Sequence, residues 1–263
     1  MTDVELTARL RANLAAFKEY QCGAGVMRSW RAPGVVALAL PGRADTLFQQ
    51  QVVSDDARAL ARALPALEAW YRAQAVPAWR IAAAPGDLAS ERLLKDLGYT
   101  RGDRMPHMAL ALPPRPPPPL PPGTTLERTD IFPAVLELNA LCYGHANMAF
   151  IEAWRTRPPP AGPVHAVLLR EAGRALACAL SFEQDAIAGI YLVATHPDAR
   201  RRGLGAQVMK ALHADALARG RTHAVLQSSA SGQGLYQRLG YRDLGDWEDW
   251  ISPPPGAVVV RRY

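Results

Sequence analysis

The fold is decided by residues 188–206, which read AGIYLVATHPDARRRGLGA. An apolar run predicts a buried strand that ends near His196-Pro197, and a helix is expected to begin at about Leu204. Three arginines and a glycine-rich turn lie between them. Backbone N–H groups in the first turn of a helix lack partners inside the helix, and glycine lets a ligand approach them closely. The stretch therefore predicts a turn that binds phosphate.

Two common phosphate motifs do not fit this turn. The chain has no G-x-x-x-x-G-K-S/T run, and Val208 stands where a dinucleotide fingerprint needs its third glycine. The pattern that fits is R/Q-x-x-G-x-G/A, read over Arg200–Gly205. This pattern, following a strand, resembles the acyl-CoA pyrophosphate loop of the GNAT superfamily of N-acetyltransferases.

A second segment adds to the resemblance. Residues 229–241, SASGQGLYQRLGY, are similar to the superfamily's S-x-x-G-x-x-L-Y-x-x-L-G-F/Y segment. The resemblance covers roughly Thr125 to Trp250, and it implies that Tyr236 lies near the CoA sulfur and protonates the departing thiolate.

The resemblance also implies the remaining parts of the site, with acetyl-CoA as co-substrate. Strand backbone would pair with the pantetheine arm, and the loop and the second segment would hold the rest of the cofactor. The cofactor-binding residues expected in this way are Val193, Ala194, Thr195, Arg200, Arg201, Arg202, Gly203, Leu204, Gly205, Ala206 and Ser229.

The general base is left open by the sequence. Many superfamily members carry a glutamate at the start of the strand, where this chain has Ala188 and Gly189. Glu183 and Asp185 are the catalytic substitutes that we consider, and His165 is a third candidate.

The acceptor pocket is expected between Cys142 and Arg157, where Tyr143, His145 and Trp154 would bind the substrate. Aromatic side chains there suit a small primary amine, and the resemblance implies an acyltransferase that acts by direct attack in a ternary complex. The alternatives are a protein acetyltransferase, N-terminal or lysine, and a non-catalytic acyl-CoA sensor.

Composition narrows the class of protein further. The net charge of +6 is explained by a CoA pocket without nucleic acid, because no recognition-helix pattern accompanies the arginines. The N-terminus lacks a signal-peptide pattern, and the apolar runs are too short to span a bilayer. Three widely spaced cysteines indicate a reducing cytoplasm, and no metal-ligand spacing is present. We expect a monomer or a homodimer.

The chain reads as two halves joined by a proline-rich stretch. Residues 113–122 contain eight prolines and predict a stiff linker. Residues 91–99 parallel residues 234–241, so the first half resembles a second, degenerate GNAT module. It lacks the arginine-glycine turn, has Asp55 and Asp56 instead, and carries Leu94 where Tyr236 would stand. The expected domains are 1–112, the linker 113–123 and a catalytic domain 124–263, in an α/β fold with two mixed, mostly antiparallel, twisted sheets flanked by helices.

Overall fold

The computed structural model describes residues 1–42, 49–84, 86–114, 116–117, 119–129, 132–144, 148–157 and 162–254. Its helices are α1 (Asp3–Tyr20), α2 (Ala57–Ala73), α3 (Leu88–Asp96), α4 (Phe132–Tyr143), α5 (Met148–Thr156), α6 (Leu204–Ala218) and α7 (Gln233–Arg238). Its strands are β1 (Arg28–Ala32), β2 (Val35–Ala39), β3 (Gln51–Ser54), β4 (Arg80–Ala83), β5 (Thr100–Ala111), β6 (Thr124–Thr129), β7 (Val164–Glu171), β8 (Arg174–Gln184), β9 (Ile187–Thr195), β10 (His223–Gln227) and β11 (Arg242–Ile251).

The contacts divide the chain into two units. Unit 1 comprises Met1–Asn13 and Met108–Asp243, and unit 2 comprises Leu14–His107 and Leu244–Tyr263. This division differs from the expected boundaries, because the start of α1 joins the second half of the chain and the C-terminal segment joins the first half. A hydrogen bond explains why the start of α1 joins unit 1. The Asn13 side-chain amide donates to Phe182 O at 3.1 Å, although the two residues are 169 positions apart.

The sheet of unit 1 is mixed and mostly antiparallel. Strands β6, β7, β8 and β9 are antiparallel neighbours, β10 pairs with β9 in parallel, and the end of β5 lies beside β10. Helix α6 packs on one face, where Ala177 and Ala179 join its core. Between them, Cys178 turns to the other face, and its Sγ lies 3.9 Å from Val135 O of α4.

The sheet of unit 2 repeats part of this plan. Strands β1, β2 and β3 are antiparallel, β4 pairs with β3 in parallel, and β11 pairs with β4 in the antiparallel sense. Helices α2 and α3 cover one face over an aromatic core. In that core the rings of Tyr71 and Trp79 stack with centroids 4.6 Å apart, and Trp79 Nε1 donates to Tyr99 Oη at 3.2 Å.

These sheets confirm the predicted α/β fold with mixed, largely antiparallel strands flanked by helices. The proline-rich stretch lies within unit 1 rather than outside both units. Pro119 O accepts a hydrogen bond from the Gln207 side chain of α6 at 3.3 Å, and Leu112 N–H donates to Thr222 O at 2.9 Å. The described part of the stretch is therefore held against α6.

Candidate active site

The turn between β9 and α6 is held by its own polar contacts. His196 Nδ1 accepts from Asp198 N–H at 3.2 Å and caps the short 3-10 helix Pro197–Ala199. The Arg174 guanidinium lies 2.7 Å from His196 Nε2 and 3.1 Å from Asp198 Oδ2. These contacts fix the point at which the chain leaves the strand and enters the arginine-rich turn.

The N-terminus of α6 is open. Arg201 and Gly203 both have positive φ, at 62° and 77°, and Gly203 caps the helix without a side-chain hydrogen bond. The i to i−4 hydrogen bond from Gln207 N–H to Gly203 O, at 3.2 Å, joins the helix to its cap residue. The N–H groups of residues 204–206 come before this bond, in the first turn of the helix. A Cβ at Gly203 would meet no atom within 4 Å. The helix therefore presents its first amides to an approaching anion.

Two of the three arginines of the turn make contacts with neighbouring groups. Arg202 pairs with Glu171 of the β7–β8 hairpin through contacts of 2.5 and 3.2 Å. Arg200 Nε donates to Thr195 O at 3.4 Å. The predicted loop is thus cationic, but part of its charge is balanced by a neighbouring carboxylate.

Strand β9 contains a bulge beside this turn. Leu192 has φ 51°, and the register with β8 shifts so that Cys178 faces Ala194 but Leu180 faces Tyr191. In the described residues, β9 pairs with β10 only over residues 187–190. The ladder with β10 therefore ends at Ile190, and residues 191–195 of β9 are not paired with β10; this unpaired edge at the carboxyl end of the strand is called the gap.

Backbone alternation decides which groups face the gap. His196 N–H donates to Leu176 O of β8 at 2.8 Å, and Ala194 lies opposite Cys178. In an antiparallel ladder the intervening residues turn their backbone groups the other way. Val193 and Thr195 therefore present N–H and C=O groups to the gap, whereas those of Ala194 face β8.

Tyr236 lies in α7, close to the core of unit 1. It exposes 8% of its surface, and its ring meets Tyr241 edge-on with centroids 5.7 Å apart. Burial first, and nearby Tyr143 second, raise the pKa of Tyr236 above its usual value of 10.0, so the phenol stays protonated at neutral pH. Tyr241 Oη lies 2.7 Å from Nε2 of buried His213.

Ser229 shapes the turn before this helix. Its Oγ accepts from Gly232 N–H at 3.2 Å and lies 3.2 Å from Ser231 Oγ. Its described contacts are therefore local, and they order the entry to α7.

Of the predicted acceptor residues, the structure places one at the gap. Tyr143 ends α4, exposes 48% of its surface and donates from Oη to Val193 O at 3.0 Å. Trp154 lies in α5 and is 1% exposed, so it belongs to the core of the described structure rather than to an open surface. His145 lies outside the described residues.

The candidates for the general base lie at the other end of β9. Glu183 is buried and held by Arg219 at 2.6 Å, by Ser181 Oγ at 3.1 Å and by Arg221 at 3.8 Å. It faces Ala188, five residues before Val193, which is about 17 Å along a strand. Its ion pairs and this separation do not support a catalytic role.

Asp185 and His165 share this placement. Asp185 is exposed in the β8–β9 turn and pairs with Arg9 at 2.8 Å. His165 Nε2 lies 3.9 Å from Glu183 Oε2, in a cleft that Arg128, Asp215 and Arg219 also line. All three candidates take part in charge networks at the start of β9, and their role as general base stays a prediction.

The sequence reading missed a polar contact at Gly189. Asn13 Oδ1 accepts from Tyr191 Oη at 2.8 Å, and a Cβ at Gly189 would lie 1.8 Å from that same Oδ1. A side chain at Gly189 would have to displace the Asn13 side chain of α1, so glycine preserves this contact. Only the departure from the superfamily pattern at Gly189 signals this contact in the sequence.

Neither a membrane-spanning helix nor a metal site is found in the part of the chain that the structure describes. No helix among the described residues is long and apolar enough to cross a membrane, and no group of three or more of their His, Cys, Asp and Glu side chains is arranged to hold a metal ion. The three cysteines are free thiols.

Comparison with known proteins identifies the class. Residues 163–243 match the family model described as "Acetyltransferase (GNAT) domain". The match covers the bulged strand, the arginine-glycine turn and Tyr236, and it confirms the predicted resemblance to the GNAT superfamily. No curated protein matches the sequence significantly.

Solved structures share the fold over nearly the whole chain. A GCN5-related N-acetyltransferase from Kribbella flavida is 23% identical, with 92% of this chain and 96% of that one covered and a TM-score of 0.66. A tandem GNAT protein from the clavulanic acid biosynthesis pathway is 16% identical, with 95% of each chain covered and a TM-score of 0.64. A GCN5-related N-acetyltransferase from Sphaerobacter thermophilus is 19% identical over 85% of this chain and 82% of its own, with a TM-score of 0.59.

Proposed function

We propose that this protein is an acetyl-CoA-dependent N-acetyltransferase that acetylates a primary amine of a small molecule by direct attack in a ternary complex. The observation that carries the proposal is the meeting of three features in unit 1. These are an open helix N-terminus with an arginine-rich turn, a bulged strand whose edge is not paired with β10 beyond Ile190, and a buried, protonated tyrosine.

The turn would hold the pyrophosphate of acetyl-CoA. Amides at the start of α6 supply aligned donors, and Arg200, Arg201 and Arg202 supply positive charge. The αL conformation of Gly203 lets the chain enter the helix without a Cβ above these donors. A nucleotide with several phosphate charges matches this set of groups better than a neutral ligand does.

The edge of β9 would orient the thioester. Val193 and Thr195 supply backbone donors and acceptors for the amides of the pantetheine arm, as an added strand would require. A strand N–H at the bulge would also stabilise the negative charge that develops on the thioester oxygen. We propose Ala194 as a packing residue of this segment, because its backbone groups face β8.

Tyr236 would act as the general acid. A phenol with an ordinary pKa near 10 is already protonated at neutral pH, and burial raises the pKa of Tyr236 further, so its proton is present when the carbon–sulfur bond breaks. Ser229 would order α7, in which Tyr236 lies. The acceptor would enter beside Tyr143, at the end of α4, as the neutral amine, and the proton that its nitrogen loses as the amide forms would pass to solvent; we propose no role for Glu183 or Asp185 in this transfer.

The test is turnover by Tyr236→Phe. CoA thiol release from acetyl-CoA is measured with a panel of small amines, and acetyl-CoA affinity is measured by calorimetry. Loss of a general acid lowers kcat by about 100-fold or more while the affinity stays within about threefold. Tyr241→Phe is the matched control, because it removes a neighbouring phenol that bonds to His213, and we expect it to keep most of the turnover.

Three outcomes would count against the proposal. Unchanged turnover in Tyr236→Phe would remove this residue as the acid. Binding of acetyl-CoA without turnover on any amine or protein acceptor would favour an acyl-CoA sensor. Turnover on protein amines alone would replace the small-molecule acceptor by a protein.

A further inference from the structure

Tyr143 occupies a backbone group that the proposed cofactor needs. Its Oη donates to Val193 O at 3.0 Å. Val193 lies immediately after Leu192 of the bulge, where the edge of β9 has left the β10 ladder. Its carbonyl would otherwise be available to an amide N–H of a ligand lying along that edge.

A carbonyl oxygen has two lone pairs, but the Tyr143 phenol and an arm lying along the strand edge would both reach the Val193 oxygen from the gap, so they compete for the same space. The pantetheine arm pairs with a strand edge through its amide N–H groups, which approach C=O groups in the sheet direction. The Tyr143 phenol approaches the same oxygen from the end of α4. Seating the arm therefore requires Tyr143 to give up this hydrogen bond.

The surroundings of Tyr143 allow it to move. It is the last residue of α4, it is half exposed, and Gly144 follows with φ 71°. A rotation of the side chain needs no change in the core of unit 1. By contrast, Tyr191 of β9 is largely buried, and its hydroxyl donates to Asn13 Oδ1.

The groups around Tyr143 belong to the proposed site. Tyr143 is close enough to Tyr236 to raise its pKa, and burial, Cys142 and Cys178 raise the pKa of Tyr143 while Arg200 lowers it. A displaced Tyr143 side chain would therefore remain beside the thioester and the incoming acceptor.

We propose that Tyr143 is a specificity-determining gate: its hydroxyl covers the Val193 carbonyl until a ligand with a pantetheine-type amide arm displaces it. This inference rests on the proposed function and extends it to the selection of the acyl donor. Nucleotides that carry similar phosphates but no amide arm bind the turn without releasing the gate. The acceptor side of the gap is completed only after the donor has bound.

The test compares two ligands on two variants of the full chain by calorimetry. Acetyl-CoA carries the arm, and adenosine 3′,5′-bisphosphate carries phosphates without it. Tyr143→Phe removes the competing donor, so acetyl-CoA binds about threefold to tenfold tighter than to the wild type, as the loss of one competing neutral hydrogen bond predicts. Affinity for the bisphosphate changes by less than about twofold.

Tyr191→Phe is the matched control. It removes a phenol on β9, the strand that contains Val193, but this phenol donates to Asn13 rather than to Val193. We expect no tightening of acetyl-CoA binding in this variant, and thermal unfolding checks that both variants are folded. Weaker or unchanged acetyl-CoA binding to Tyr143→Phe overturns the gate, as does equal tightening for both ligands. A wild-type protein that does not bind acetyl-CoA overturns the proposed function and the gate together, whereas binding with the wrong response in Tyr143→Phe overturns the gate alone.

Discussion

The helix that follows a central strand begins in opposite ways in the two units. In unit 1, α6 begins after an arginine-glycine turn, and Gly203 caps it without a side-chain bond. In unit 2, α2 begins after an acidic pair, and the Asp56 side chain accepts from Ala59 N–H at 2.8 Å. One helix start is open and flanked by cations, and the other is closed by its own carboxylate.

The difference shows that a shared strand–helix arrangement does not imply a shared ligand. A helix N-terminus attracts anions through unpaired amides and a positive dipole end. An aspartate at the cap satisfies one of those amides and places negative charge where a phosphate would lie. We therefore predict that unit 1 binds acetyl-CoA and that unit 2 does not.

The largest expected effect on acetyl-CoA affinity comes from blocking the open N-terminus of α6. Gly203→Glu places a carboxylate at the amides of α6 and forces a positive φ on a residue with a Cβ, so acetyl-CoA affinity falls by more than about 100-fold. Gly203→Ala shares the backbone strain without the charge and should lose less. Calorimetry of the two variants separates these causes, and equal losses would assign the effect to strain rather than to charge.

The buried bases of the two units provide a second contrast. Burial lowers the pKa of Lys18 in unit 2 from 10.5 to about 7, and that of His213 in unit 1 from 6.5 to about 4. The unfolded chain binds each proton more tightly, so the free energy of unfolding rises with pH from about 4 to 6.5 through His213 and from about 7 to 10.5 through Lys18.

Urea unfolding across this pH range checks both windows. Lys18→Met should flatten the rise above pH 7, and His213→Leu should flatten the rise in the acid window. An unaltered alkaline slope in Lys18→Met would show that Lys18 is not a depressed base in the folded protein.

A smaller effect, on the free energy of unfolding, is expected from removing the aspartate cap of α2. Asp56→Ala removes the cap of α2 and lowers the free energy of unfolding by about 1 kcal/mol. Acetyl-CoA affinity should not change, because the residue lies outside the proposed site. Asp56→Asn keeps a capping oxygen and should keep most of the stability. A gain or loss of cofactor binding in Asp56→Ala would break the contrast between the two helix starts.

The smallest effect concerns the charge balance of the turn. Glu171→Gln releases Arg202 from its exposed ion pair, so acetyl-CoA affinity rises by up to about threefold at low salt and the gain fades at high salt. Glu127→Gln is the control, because Glu127 pairs with Arg170 of the same hairpin rather than with the turn. A lower affinity in Glu171→Gln would show that the pair orders Arg202 for binding.

Local patterns made much of unit 1 predictable. The glycine-rich turn predicted a helix beginning at about Leu204, where α6 begins. The apolar run before it predicted β9. These features depend on neighbours within a few residues, which a single sequence displays directly.

The missed features depend on distant partners. Glu183 reads as a free carboxylate in a hairpin, but Arg219 lies 36 positions away and pairs with it. Asn13 reaches Tyr191 across 178 positions, and the bulge at Leu192 appears only in the register with β8. The proline-rich stretch has the composition of a linker, and its contact with Gln207 is invisible without the fold.

Hydrogen exchange in the presence of acetyl-CoA tests the contrast between the two helix starts most directly. The amides of residues 200–206, together with those of Val193 and Thr195, should gain protection, while those of residues 55–60 should exchange at an unchanged rate. Protection at the start of α2 would contradict the claim that the Asp56 cap closes it. Protection at neither helix start would contradict the claim that α6 holds the cofactor.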